Sequence, residues 1–198
     1  MFVTFEGLDG SGKTTQAELL RTRLAAEGRE VVATREPGGT PLGERVRDLL
    51  LNGTEMTPWA EAALFAAARA ELVERVIAPA LEGGGDVISD RYIDSSLAYQ
   101  GIARGLGVDR VLELNLQATR GLLPDLTFLL LLPPDESASR LGESRDRIER
   151  EGGGFRTAVD AAYRELAELF PRRVVPLDAT LPAEELAETV HGRVRELS

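Results

Sequence analysis

With 198 residues, no cysteine and no apolar run of membrane-spanning length, the chain fits one continuous core over 1–198. A disulfide framework, a thiolate metal site and a membrane partner are excluded, and the first residues enter a strand with no leader pattern, so the chain reads as cytoplasmic. Its 33 acidic and 23 basic side chains leave a net charge of −10, which argues against nucleic acid as a partner but not against a small anion in an arginine-lined cleft.

The first predicted strand, over 2–5, is apolar with β-branched and aromatic residues, and a helix over 13–26 follows with Ala17, Leu20 and Leu24 on one face. Between them Gly7-Leu8-Asp9-Gly10-Ser11-Gly12-Lys13-Thr14, continued by Thr15, has the spacing of a Walker A phosphate-binding loop. Its glycines let backbone N–H groups turn inward toward a polyphosphate, and the helix N-terminus adds partial positive charge. Lys13 is the only lysine of the chain, placed to reach β- and γ-phosphate oxygens, while the Thr14 hydroxyl is a ligand candidate for Mg²⁺.

Further strands are predicted over 30–34, 86–89, 126–132 and 173–177. Helices are predicted over 42–51, 58–81, 95–104, 109–119, 135–141, 155–169 and 182–197. This alternation predicts an α/β fold: three layers, a five-stranded parallel sheet with helices on both faces. Ligands in such sheets bind beyond the carboxyl ends of the strands. After the second strand stand Arg35, Glu36 and Pro37. After the third stand Asp90, an acid suited to orient hydrated Mg²⁺, and Arg91, suited to bind phosphate. A salt bridge at the strand end is the competing reading of that pair.

In the long helix, Arg69 shares an apolar face with Phe65 and has no acid of its own helix in reach, so it either snorkels to water or meets a partner from elsewhere. Phe65 offers a flat surface on which a base could stack. Arg140, Arg145, Arg147 and Arg150 alternate with acids before Gly152-Gly153-Gly154. Such a run is usually a solvated face, but its position suits an arginine-bearing lid at about 139–154. His191 is far in sequence from every motif and reads as structural or solvated.

Together the phosphate loop as Phe5-Glu6-Gly7-Leu8-Asp9-Gly10, the 34–40 stretch, Phe65 with Arg69, Asp90-Arg91-Tyr92, the run from Asp94 to Gly101 and Asp146-Arg147-Ile148-Glu149 resemble bacterial thymidylate kinases, from Met1 to about Thr180. The resemblance implies a homodimeric P-loop kinase that transfers the γ-phosphoryl group of ATP to dTMP, with Mg²⁺. It implies that Phe65 stacks on thymine, that Arg69 bonds its O4, and that Ser95, Ser96 and Gln100 lie near the nucleoside. It further implies that Tyr99 crowds the 2′ position, that Asp9 sits beside the 3′-hydroxyl and the phosphates, and that Arg35, Glu36, Pro37 and Arg91 line the monophosphate pocket. Some relatives carry an arginine after the loop aspartate; this chain has Gly10 there, so Arg145 and Arg147 of the lid are expected to supply that charge beside Lys13, Arg91 and Asp9. Another nucleoside monophosphate kinase and a non-catalytic nucleotide switch are the alternatives. A guanine-specific switch is excluded, because its Asn-Lys-x-Asp motif needs a second lysine.

Overall fold

The computed structural model describes residues 1–142 and 146–197. Five parallel strands form one sheet in the order β2-β3-β1-β4-β5: β1 Phe2–Gly7, β2 Val31–Arg35, β3 Asp86–Asp90, β4 Leu126–Leu131 and β5 Val174–Asp178. The register sets Phe5 of β1 against Asp90 of β3 and Phe128 of β4. β1 runs two residues further than predicted, because Glu6 and Gly7 keep pairing with Leu129 and Leu130 although neither is a strand-forming residue.

Side chains of β1 alternate. Val3 and Phe5 pack with Leu20 and Leu24 of α1 (Lys13–Ala26) and with Val190 and Val194 of α9 (Ala183–Arg195). On the opposite face Phe2 meets Leu72, Val73 and Ile77, while Thr4 and Glu6 are buried polar groups. α8 (Gly153–Leu169) covers that face beside β4 and β5, through Val159, Ala162, Tyr163 and Leu166 packed with Leu129 and Val174. Helices thus cover both faces, as a parallel sheet requires.

α2 (Pro41–Asn52) and α3 (Pro58–Leu72) both start with a threonine cap and proline in the first turn; Thr40 Oγ1 accepts from Gly43 N at 2.9 Å. The single helix predicted over 58–81 is interrupted: α3 passes through a π turn, Val73–Ile77, into α4 (Ala78–Glu82). Pro79 has no N–H for the carbonyl of Arg75, and the wider turn absorbs that break. α5 (Ile93–Ser96) also leads into a π stretch, Leu97–Ala103, which carries Tyr99 and Gln100; α6 (Val108–Ala118) follows. α7 (Pro134–Arg140) and a 3₁₀ turn, Glu149–Glu151, flank the segment preceding α8. Among the described residues no helix is long and apolar enough to cross a membrane.

The connections after β1 and β3 leave toward opposite edges of the sheet, to β2 and to β4. They open a crevice at the carboxyl ends of these two central strands, the position where open α/β sheets bind ligands.

Candidate active site

At the mouth of that crevice the loop after β1 turns sharply. Gly7 has φ 135°, and a Cβ there would lie 2.4 Å from the Leu130 carbonyl oxygen, so only glycine fits. Gly12, with φ 94°, leads into α1. Lys13 folds back over the loop and donates to the carbonyls of Gly7 at 3.2 Å and Leu8 at 2.8 Å. Burial and the Arg91 charge push its pKa down to about 8, against the pull of Asp9, Asp90 and Glu6. Thr14 Oγ1 donates to Asp90 Oδ2 at 2.5 Å. These are hard oxygen donors of the type Mg²⁺ takes, with phosphate and water completing the shell. Gly10, Gly12, Lys13, Thr14 and Thr15 line one cavity together with Arg35, Arg47, Arg91 and Arg140.

Arg91 lies at the crossing of the two ligand regions. Its φ of 73° is left-handed, a conformation that costs a side-chain-bearing residue about 1 kcal/mol or more. Four bonds hold it there: its backbone N–H donates to Phe5 O at 2.9 Å, and its guanidinium reaches Asp9 Oδ1 at 2.5 Å, Ser95 Oγ at 2.9 Å and Tyr163 OH at 3.1 Å. Burial alone would raise the Asp9 pKa, but Arg91 and Lys13 hold it at about 2, so Asp9 is ionised at neutral pH. Beneath them Glu6 accepts from Tyr92 N, from Ser95 N and Oγ, and from Tyr163 OH, at 2.6–3.1 Å. Burial and the Asp94 carboxylate push its pKa up to about 7 despite Arg91 and these bonds.

A second cleft adjoins the loop. Asp9, Glu36, Pro37, Phe65, Arg91, Ser95, Ser96, Tyr99 and Gln100 all line it, with Arg47, Leu51, Asp146 and Ile148. Nine of the eleven predicted substrate residues therefore meet there. Arg35 lines the adjacent phosphate-loop cavity and pairs with Glu44 at 3.0 Å.

Arg69 is the other exception. It is 0% exposed and lies behind the wall. Its partner comes from elsewhere: Nε and an η-nitrogen donate to Glu36 Oε2 at 2.8 and 2.6 Å, and the remaining η N–H groups reach Tyr92 O, Ser96 Oγ and Asn115 Oδ1. All five guanidinium donors are engaged. Glu36 Oε1, by contrast, is buried with no hydrogen-bond partner among the described residues, and so is Ser11 Oγ. Burial raises the Glu36 pKa against the opposing pull of Arg69.

Arg145 lies outside the described residues. Arg147 is held away from the phosphate loop, donating to Leu50 O at 2.8 Å and to Glu61 Oε2 at 2.6 Å. Asp146 Oδ1 accepts from the N–H groups of Ile148 and Glu149, fixing the turn that carries Ile148 into the cleft. His191 pairs with Glu27 at 2.7 Å, joining α9 to the end of α1.

Sequence reasoning missed Arg47, which donates to Pro37 O at 2.9 Å and lines both cavities, and placed Arg140 in the lid without choosing it over Arg145 and Arg147, although it packs against Gly10 and donates to its carbonyl at 3.4 Å. Arg47 sits three residues after Glu44 on a helix whose start follows the Arg35-to-Thr40 turn, a position that could have marked it. Glu6 was not singled out, because the strand was predicted to end at residue 5, whereas β1 runs to Gly7 and buries it.

A phosphate loop at the carboxyl end of a central parallel strand, with an acid and an arginine ending its neighbour, defines a P-loop protein of the phosphoryl-transfer class. A family model described as thymidylate kinase matches residues 5–190. The chain is 47% identical over 203 residues to a thymidylate kinase of Bifidobacterium longum (100% of this chain, 98% of that protein). It is 43% identical to one of Chlorobaculum parvum (100% and 96%) and 50% identical to one of Pelotomaculum thermopropionicum (90% and 85%). The chain belongs to the thymidylate kinase family, and with it to the nucleoside monophosphate kinases.

Proposed function

We propose that this protein moves the γ-phosphoryl group of ATP onto dTMP, giving dTDP and ADP, as a cytoplasmic step of dTTP biosynthesis. The observation that carries the reading is the junction of two sites through Arg91. A phosphate loop with one buried lysine opens directly onto a cleft with an aromatic wall and polar groups.

Both reactants are anions, and phosphoryl transfer asks for alignment and neutralisation of charge more than for covalent chemistry. ATP occupies the loop from Gly7 to Thr15, with Lys13 against its terminal phosphates. Thr14 and Asp90 would hold Mg²⁺, which supplies positive charge to the phosphate oxygens. The dTMP phosphate meets Arg91, Arg47 and Arg35, with Asp9 ordering Arg91 and facing the 3′-hydroxyl. Glu36 and Pro37 shape that pocket. Phe65 stacks on the base, and Tyr99 excludes a 2′-hydroxyl. Ser95 steadies Arg91. Ser96 receives a bond from Arg69, which leaves its own proton free for the O4 carbonyl, so Arg69 acts on O4 through Ser96.

Arg140 is the nearest described lid cation to the loop and compensates for Gly10. Arg145 and Arg147 join the phosphates on closure of 139–154, Arg147 after leaving Glu61. We also propose one domain over 1–198 and a homodimer; exposed Leu42 and Leu49, seven residues apart on α2, support an apolar contact there.

The test is product analysis with purified protein, ATP and Mg²⁺. ADP formation is expected to depend on dTMP, with one dTDP per ADP, and to fall for UMP and dCMP. ADP release at the same rate without dTMP would reject a kinase in favour of an ATPase.

A further inference from the structure

Glu61, Phe65 and Arg69 recur every four residues along α3, so they share one face, the face turned to the cleft. Phe65 and Arg69 belong to the base site proposed above; Glu61 has no part in it. Yet Glu61 is 1% exposed, far more buried than an idle carboxylate should be. Gln100 Nε2 donates to its Oε1 at 2.8 Å, Arg104 donates to both oxygens at 3.2 and 3.1 Å, and Arg147 donates at 2.6 Å. Although burial alone would raise its pKa, these partners hold it below the usual carboxylate range.

An ionised carboxylate only accepts hydrogen bonds. It therefore takes the NH₂ end of the Gln100 amide and leaves the other end, Oε1, which has no hydrogen-bond partner among the described residues. Gln100 lines the cleft. An amide oxygen facing a pyrimidine edge accepts from a ring N3–H, which thymine and uracil carry. It opposes the N3 lone pair of cytosine.

We infer that Glu61 is a positioning residue that fixes the polarity of the Gln100 amide, so that the cleft selects a base with a hydrogen on N3 and rejects cytosine. The inference rests on the reading that the base lies between Phe65 and Gln100.

The test compares kcat/KM for dTMP and dCMP in three variants. Glu61→Gln presents Gln100 with a donor as well as an acceptor and frees its amide to turn. The ratio of dTMP to dCMP is expected to fall at least ~tenfold, mainly through a higher KM for dTMP. Arg104→Gln removes a different partner of Glu61 and leaves the Gln100 bond in place; it is expected to lower the melting temperature and to keep the ratio within ~twofold. An unchanged ratio in Glu61→Gln, or an equal loss in Arg104→Gln, overturns the inference. Gln100→Leu tests the base site itself: an unchanged KM for dTMP rejects that reading, whereas a raised KM beside an indifferent Glu61→Gln rejects only the role of Glu61.

A readout independent of variant folding is the side-chain amide of Gln100 in the wild-type protein, assigned by ¹⁵N NMR from its loss in Gln100→Leu. Bonded to buried Glu61, its protons are expected to exchange slowly with solvent both free and with dTMP. Fast exchange in both states overturns the inference.

Discussion

Replacing Arg69 with methionine keeps an apolar stem of similar length and deletes every donor. Glu36 Oε2 then loses the cation that holds it at 2.6 and 2.8 Å, in a place where neither side chain is more than 4% exposed. Removing one partner of a buried ion pair costs about 3–5 kcal/mol, because the survivor is a charge without compensation. For a chain of this size each kcal/mol moves the melting temperature by roughly 2–4 °C, so a fall of about 6–20 °C is expected. Adding Glu36→Gln to the same protein removes the stranded charge and is expected to recover about 1–3 kcal/mol of that loss. The assay is urea unfolding followed by circular dichroism and by tryptophan fluorescence, with coincident curves required before free energies are extracted. A double variant no more stable than Arg69→Met would refute the assignment of the cost to Glu36. An Arg69→Met protein within about 1 kcal/mol of the wild type would refute the buried pair as a structural element.

Arg140→Ala is expected to lower the turnover number at least ~tenfold, as for loss of a charge beside a transferring phosphoryl group, and to cost more than Arg147→Ala; the opposite ranking in a coupled ADP assay, with Arg145→Ala alongside, would move the role to the other lid arginines. The Lys13 pKa of about 8 has two consequences. The unfolded chain keeps this proton up to the ordinary value of 10.5 and the folded chain does not, so between these pH values Lys13 contributes stability that increases with pH. Phosphate oxygens raise the pKa again, so ATP binding at about pH 9 should take up a proton. Calorimetry in two buffers of different ionisation heat measures this, and equal heats would contradict it.

The strand and helix pattern could be read because each element carries its own periodicity, and the phosphate loop because its residues are consecutive. Part of the cleft wall was also legible, since Arg91 follows a strand end and Phe65 stands on an apolar helical face, whereas Tyr99 and Gln100 came from the family resemblance alone. The partners of charged residues were not. Arg69 visibly lacked an acid on its own helix, but nothing local pointed to Glu36, 33 residues earlier. Glu61 drew no reading from the sequence, because only folding brings Gln100, Arg104 and Arg147 around it. The π turn at Val73–Ile77 escaped because periodicity over five residues is too short to separate it from an α-helix, although Pro79 marked the place.

Glu61 is shared by two guanidinium groups, one from Arg104, the residue that follows the π stretch, and one from the segment before α8. Arg104 reaches it at 3.1 Å from a separate part of the chain, while Arg147 is also held by the carbonyls of Leu50 and Leu51. Losing Arg147 alone would therefore leave the carboxylate facing Arg104 and Gln100 and not as a lone ion in a dry interior.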